Sequence, residues 1–515
     1  MTSRLRARLA AKPPGYRFTI GRILAIYAGL MATLLLAALD QTIVSTALPK
    51  IVSDLGGLSQ YSWVFTAYML ATTVTVPLYG KLGDKYGRRP LFLGAIAIFL
   101  VGSALCGLAQ NMTELVVFRA VQGLGAGGLF PLAMATVGVI VPPRDRGRYQ
   151  GLIGAVFAAA SIVGPAVGGF IVDNASWRWV FYVNLPVGGI ALLVIAVTMP
   201  RRATRQEHSI DWLGAALLAA GTAALLLGLV WGGREYPWLS VEVLGALAAA
   251  AVLVALFALV ERRVAEPILP FELLRSPVVS ASVACMLLVG MAMFGTIAFV
   301  PLFVQGVIGT SATSSGVVLT PLMLGAVGMS MVSGQWVSRT GRYRPNAIVG
   351  PIILGAGMLL LWRMSPATTS GEAARDMVVA GIGLGLMMPV FVLSVQNSVP
   401  IRSIGIATAL TQFGRSIGAT LGVTLMGVIV NQGLPSAAQS QGAALHRLPP
   451  RARAQLADAL HPAFLTASLV CALVLVIVLL WVKEVPLRKG FEEAPIVDEL
   501  GEGAVTPTAR GAAST

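Results

Sequence analysis

Apolar runs of about twenty residues recur from one end of this chain to the other, and they limit what it can fold into. A helix needs about 20 apolar residues to cross a hydrocarbon layer. Stretches of that kind lie at roughly 21–47, 61–80, 91–109, 114–140, 150–172, 179–199, 212–231, 241–260, 278–304, 315–337, 347–364, 377–398, 406–432 and 463–482, fourteen in all. In lipid every backbone N–H and C=O must be paired inside the chain, so each run is expected to be helical. Charged residues make up 11% of the chain, against roughly 25% in soluble domains. The expected fold class is therefore an all-α membrane protein with fourteen transmembrane helices.

A net charge of +15 would suit a nucleic-acid binder. The placement of the charge excludes that partner, because Lys and Arg sit in short loops between apolar runs. With the N-terminus on the cytoplasmic side, 27 of the 37 Lys and Arg residues lie in that side's loops, tails and span ends, and 8 lie opposite. Such a bias orients a chain with its basic loops in the cytoplasm. An even span count then puts both termini there. The basic N-terminus lacks the A-x-A exit of a cleavable signal, so none is expected. Cys106, Cys285 and Cys471 form no spacing pattern, and His208, His446 and His461 fall in polar connections. No disulfide framework, metal site or cofactor is expected from them.

One carboxylate interrupts the first run. Asp40 follows an uncharged stretch from Ile23 to Leu39, with Gln41 beside it. An ionised group in a membrane interior is costly, so it faces the bundle or a wet cavity, and a functional role is its default reading. The bland alternative is a neutral acid that locks two helices. Span 4 carries Arg119, with Gln122 one turn on. At 1.5 Å per residue, Arg119 lies about 9 Å and Asp40 about 12 Å from the outer face, so the two can meet. Arg119 could instead snorkel toward the interface.

The chain also repeats. Gly80, Lys85, Gly87 and Arg88 recur 254 residues later as Gly334, Arg339, Gly341 and Arg342, and the same offset carries Gly164 and Gly168 onto Gly418 and Gly422. Parallel repeats of this kind build transporters from two six-helix halves. The expected division is a tail at 1–20, a six-helix half at 21–199, an inserted two-helix hairpin with its flanking loops at 200–277, a second half at 278–482, and a disordered tail at 483–515. Within the outer loop 433–462, ARAQLADAL suits a short surface helix.

Five strings carry a family likeness. GKLGDKYGRRP joins spans 2 and 3; its glycines permit a tight turn, and Asp84 can pair with Arg88 or a helix N-terminus. The second copy has Ser338 where the acid would stand, so a weaker latch is expected there. FRAVQGLGAGG occupies span 4, and SIVGPAVGGF occupies span 5. LDQTIVSTALPKI surrounds Asp40, and WRWVFYVNLPVG opens span 6. Together these strings resemble the signatures of the major facilitator superfamily, and of its fourteen-helix drug:proton antiporters in particular. Span 5 matches the GPxxGG half of the exporters' motif, with Ala160 in place of its first glycine.

That resemblance implies a proton-coupled exporter in the bacterial cytoplasmic membrane, working by alternating access on a proton gradient, without a cofactor. Asp40 and Arg119 are then the proton-coupling pair. Asp40, Gln41, Gln122, Phe294 and Gln412 are the candidate substrate contacts. Gly80, Asp84, Gly87 and Arg88, with Gly164, Pro165, Gly168 and Gly169, are the candidate conformational switch. Spans 9–14 as drawn hold no Asp or Glu, and Arg415 is the one charged residue away from their ends. Small amphipathic substrates, cationic or neutral, are expected, with charge recognition resting on Asp40. The methionine-rich second half offers soft apolar surface suited to varied ligands. A dedicated exporter of one metabolite, lipid or self-made antibiotic is the alternative. An enzyme is excluded by the lack of a buried His, an acid pair or a nucleophile with its base.

Overall fold

A computed structural model of the chain describes residues 19–55, 63–199, 211–233, 235–264, 267–269, 271–308, 312–400, 403–433 and 450–484. The tails and residues 434–449 of the outer loop, with the expectations made for them, lie outside these, as do His208 and His446.

The described elements are helical. The first half contains α1 (Ile20–Leu55), α2 (Trp63–Tyr86), α3 (Arg88–Leu108), α4 (Met112–Ile140), α5 (Pro143–Asn174), a single turn α6 (Trp179–Tyr182) and α7 (Asn184–Thr198). A hairpin of α8 (Trp212–Trp231) and α9 (Val241–Glu261) follows, then a short α10 (Phe271–Arg275). The second half contains α11 (Pro277–Phe303), α12 (Ala312–Thr340), α13 (Arg344–Trp362), α14 (Ser370–Ser398), α15 (Ile404–Gly433) and α16 (Pro450–Trp481). Among the described residues, eleven helices are long and apolar enough to cross a membrane. Helices α2, α5 and α12 stand where the other three spans are expected, with 24, 32 and 29 residues.

Two helix starts differ from expectation. Thr369 and Glu372 form a capping box, so α14 begins at Ser370 and takes in Glu372 and the buried Asp376, which pairs with Arg375 at 2.8 Å. The second half therefore does hold acids, in the first turns of α14. ARAQLADAL is not a separate surface helix but the start of α16, which continues through Pro462.

The repeat seen in the sequence governs the packing. Gly87 and Gly341, 254 residues apart, both adopt positive φ, at 90° and 73°, and each ends the second helix of its half. In each half the first helix packs on the fifth (α1 on α5, α11 on α15), and the fourth packs on the second and third. Between the halves, the second helix of one meets the fifth of the other: α2 against α15 and α12 against α5. Separate apolar cores fill the halves, one around Phe92, Phe99 and Leu132, the other around Phe303, Phe391 and Phe464. Hairpin helix α8 leans on both α2 and α15, and Trp63 Nε1 donates to Glu235 in the hairpin turn at 2.8 Å.

Candidate functional site

Helices α4 and α7 bring three donors onto Asp40 of α1. Arg119 and Gln122 lie three residues apart on α4 and so share a face. The chain breaks at Val183 between α6 and α7, which presents Asn184 at the first position of α7. Arg119 Nη1 donates to Asp40 Oδ2 at 2.7 Å, and both side chains are 0% exposed. Asp40 Oδ1 accepts from Gln122 Nε2 at 2.8 Å and from Asn184 Nδ2 at 2.9 Å. Asn184 also donates to Ser103 Oγ on α3 at 2.9 Å, and Ser103 donates to the Phe181 carbonyl at 2.9 Å.

Arg119 is held from several directions as well. Its Nε donates to the Val64 carbonyl at 3.3 Å, Nη1 reaches Gln122 Oε1 at 2.6 Å, and the guanidinium lies 4.2 Å from the centre of the Tyr68 ring. Arg119 Nη2 is buried with no hydrogen-bond partner among the described residues. A buried ion pair is very sensitive to loss of one partner, because the charge left behind is uncompensated.

This enclosure divides the expected substrate contacts into two groups. Asp40 and Gln122 are fully buried in the first half, with every Asp40 oxygen engaged, so neither is open to a ligand here. Gln41, next along α1, is half-buried. Phe294 and Gln412 meet elsewhere, around Arg415. Arg415 Nε donates to Gln412 Oε1 at 2.8 Å, and its guanidinium lies 5.7 Å from the Phe294 ring centre and 5.8 Å from that of Phe130.

The switch residues around α2 form a clasp between the halves. Asp84 Oδ1 accepts from Gly405 N at 3.0 Å and Oδ2 from Ile406 N at 2.9 Å, while Arg88 donates to Oδ1 at 2.6 Å. A carboxylate at the first turn of α15 satisfies N–H groups that the helix leaves unpaired, and it meets the positive end of the helix dipole. The close approach needs glycine on both sides. A Cβ at Gly80 would lie 2.5 Å from the Ala409 methyl, and one at Gly405 would collide with the Asp84 carboxylate. The second copy is reversed in polarity: Ser338 on α12 donates to Asp145 Oδ1 in the first turn of α5 at 3.3 Å. Both clasps lie on the face of the basic loops.

The span-5 glycines are unequal. Gly164 takes the close contact with α1, since a Cβ there would collide with the Thr42 hydroxyl. Gly168 is buried. Gly169 makes no such contact, because a Cβ there would meet nothing within 4 Å. The Pro165 side chain lies outside the described residues.

Sequence reasoning passed over three features. Asn184 stood inside WRWVFYVNLPVG without a role; a lone amide in an apolar run was the available signal. Gly405 carried no signal, because its partner is 321 residues away. An acid pair was not expected, yet Asp211 and Glu261, at the two ends of the hairpin, come together. Each has a buried oxygen without a donor, and a Cβ at Gly214 would touch both carboxylates.

Comparisons with known proteins agree with this architecture. Residues 30–423 match the model of the Major Facilitator Superfamily. The multidrug transporter protein MdtP of Bacillus subtilis is 41% identical over 403 residues, covering 78% of this chain and 74% of its own. Multidrug resistance protein 3 of the same organism is 38% identical over 401 residues, covering 78% of each chain. The crystal structure of the human organic anion transporter MFSD10 superposes with a TM-score of 0.64 at 15% identity, over 91% of this chain and 100% of that one, a likeness of fold alone. A family match across most of the sequence, joined to multidrug transporters near 40% identity, makes this chain a transporter of the major facilitator superfamily and not an enzyme.

Proposed function

We propose that this protein is a proton-coupled antiporter that exports small amphipathic compounds across a bacterial cytoplasmic membrane. In this reading fourteen spans cross the membrane, as two six-helix halves plus the α8–α9 hairpin, with both termini cytoplasmic. The enclosed Asp40–Arg119 pair carries the proposal.

The coupling follows from charge. Ionised Asp40 compensates Arg119, which stays cationic at any physiological pH. Protonating Asp40 removes that compensation and leaves a buried guanidinium held only by Gln122, the Val64 carbonyl and the Tyr68 ring. An uncompensated buried charge is unfavourable by several kcal/mol. The proton is therefore accepted where α1 and α4 can shift so that Arg119 finds water or another acceptor. Proton uptake and helix movement become one event, and the halves rock about their interface. Release of the proton on the cytoplasmic side restores the pair and the Asp84 and Ser338 clasps.

The substrate is met between the halves, where Phe294 and Gln412 of the second half gather around Arg415, across from Phe130 of the first. Inverted vesicles loaded with a panel of fluorescent amphipaths, with and without an imposed pH gradient, test the proposal. Gradient-dependent accumulation that collapses with a protonophore is expected; accumulation indifferent to the gradient would overturn proton coupling.

A further inference from the structure

Arg119 and Arg415 sit deep inside apolar helices and differ in one respect. The first is matched by a carboxylate. Arg415 lies about 16 Å along α15 from Ile404, at 1.5 Å per residue, and among the described residues it has no ion-pair partner. Its one described hydrogen bond runs from Nε to Gln412, which leaves the two Nη groups of a five-donor fork uncommitted. A guanidinium cannot shed its proton to escape the cost.

The surroundings say where that charge points. Phe130 belongs to α4, the most enclosed of the candidate spans, whereas Phe294 and Arg415 belong to α11 and α15 of the second half. All three side chains are half-buried. Rings from opposite halves place the guanidinium at the junction between those halves. Its distances to both rings fall within cation–π range, which holds the fork in place and flanks it with apolar surface.

We propose that Arg415 is the charge-recognition residue of the substrate site, and that the site takes amphipathic anions: an apolar body with a carboxylate or sulfonate head. The head would be gripped by the Nη fork, the geometry that guanidinium offers to planar and tetrahedral oxyanions. The body would lie between Phe130 and Phe294, and Gln412 would orient the fork through Nε. This inference rests on the exporter reading and reverses the charge that Asp40 alone had suggested. It also suits the energetics, because a membrane potential negative inside drives an anion outward.

The test uses the full chain in proteoliposomes and two dyes that share one ring system, pyrenesulfonate and a pyrenyl trimethylammonium. Wild-type protein is expected to transport the sulfonate under a pH gradient. Arg415→Gln should bind it about tenfold or more weakly, the scale of one lost charge-assisted contact, and should bind the cationic dye more tightly. Arg415→Lys, which keeps charge without the fork, should fall between. Transport of the cation but not the sulfonate by wild type would overturn the inference and leave the exporter reading standing. Transport of neither dye, nor of any compound in the wider panel, would remove the exporter reading itself. Equal loss of both dyes in an Arg415→Gln protein that remains monodisperse would also overturn it. Vesicles of phosphatidylcholine with and without phosphatidylglycerol separate solute from lipid: sulfonate binding abolished by the anionic lipid would assign the fork to a headgroup and overturn the solute site.

Discussion

Asp40 and Arg119, on α1 and α4, are joined at 2.7 Å with neither side chain exposed to solvent. Replacing Asp40 with Asn removes the charge but keeps the shape. Gradient-driven efflux should be lost while the protein still reaches the membrane, and the folded state should weaken by about 3 kcal/mol or more, the usual cost of leaving one buried charge alone. Vesicle transport and thermal unfolding in detergent read the two effects. Efflux at the wild-type rate would remove Asp40 from the coupling step.

Asn184 tests the same network without replacing either member of the ion pair. It donates to Asp40 Oδ1 and to Ser103 Oγ, each at 2.9 Å. Asn184→Ala should cost about 1.5–3 kcal/mol as a lost bond to a charged group, and should slow gradient-driven efflux. An unchanged unfolding midpoint and transport rate would mean that Asn184 only fills space.

The clasps predict the same outcome, a looser contact between the halves, for removing an acid from one and adding an acid to the other. Asp84→Ala removes the acceptor for the Gly405 and Ile406 amides and for Arg88, and should separate α2 from α15 on the basic-loop face. Ser338→Asp would set a second carboxylate against Asp145, where like charges repel. Strengthening that position toward the family pattern should therefore loosen the clasp. Spin-label distances across each pair of helices measure both, and a shortened α12–α5 distance in Ser338→Asp would contradict the second expectation.

Glycine positions separate packing from coincidence. A Cβ at Gly418 would collide with the Leu287 carbonyl oxygen on α11, which is backbone and cannot rotate away. Gly418→Ala should force α15 and α11 apart at a cost of about 1–3 kcal/mol. Gly169→Ala faces open space and should change stability by less than about 0.5 kcal/mol. Thermal unfolding of the two proteins, measured side by side, gives the comparison.

How much was legible beforehand varied with the distance over which the cause acts. The Asp40–Arg119 pairing followed from two depths counted along two helices, which is arithmetic on local sequence. The shared offset of Gly87 and Gly341 was equally visible, and both proved to be positive-φ turns. Asp376 was missed because the capping box at Thr369 and Glu372 extends α14 beyond the apolar run. The substrate contacts were grouped too broadly: being polar and inside a span does not say whether a side chain faces its own half, as Gln122 does, or the other, as Arg415 does.

Hydropathy, positive-inside bias and the strings that recur at a 254-residue offset can all be read along the chain without its fold, and they were enough for a helical membrane chain built on a doubled plan. It took the folded chain to show that Asn184 completes the shell of Asp40, that Asp84 caps a helix 321 residues away, and that Arg415 lies between two phenylalanines with no acid beside it among the described residues. Burial and charge compensation depend on which helix faces arrive together. That choice is made by backbone contacts at glycines such as Gly80 and Gly418, and no window of one helix contains it.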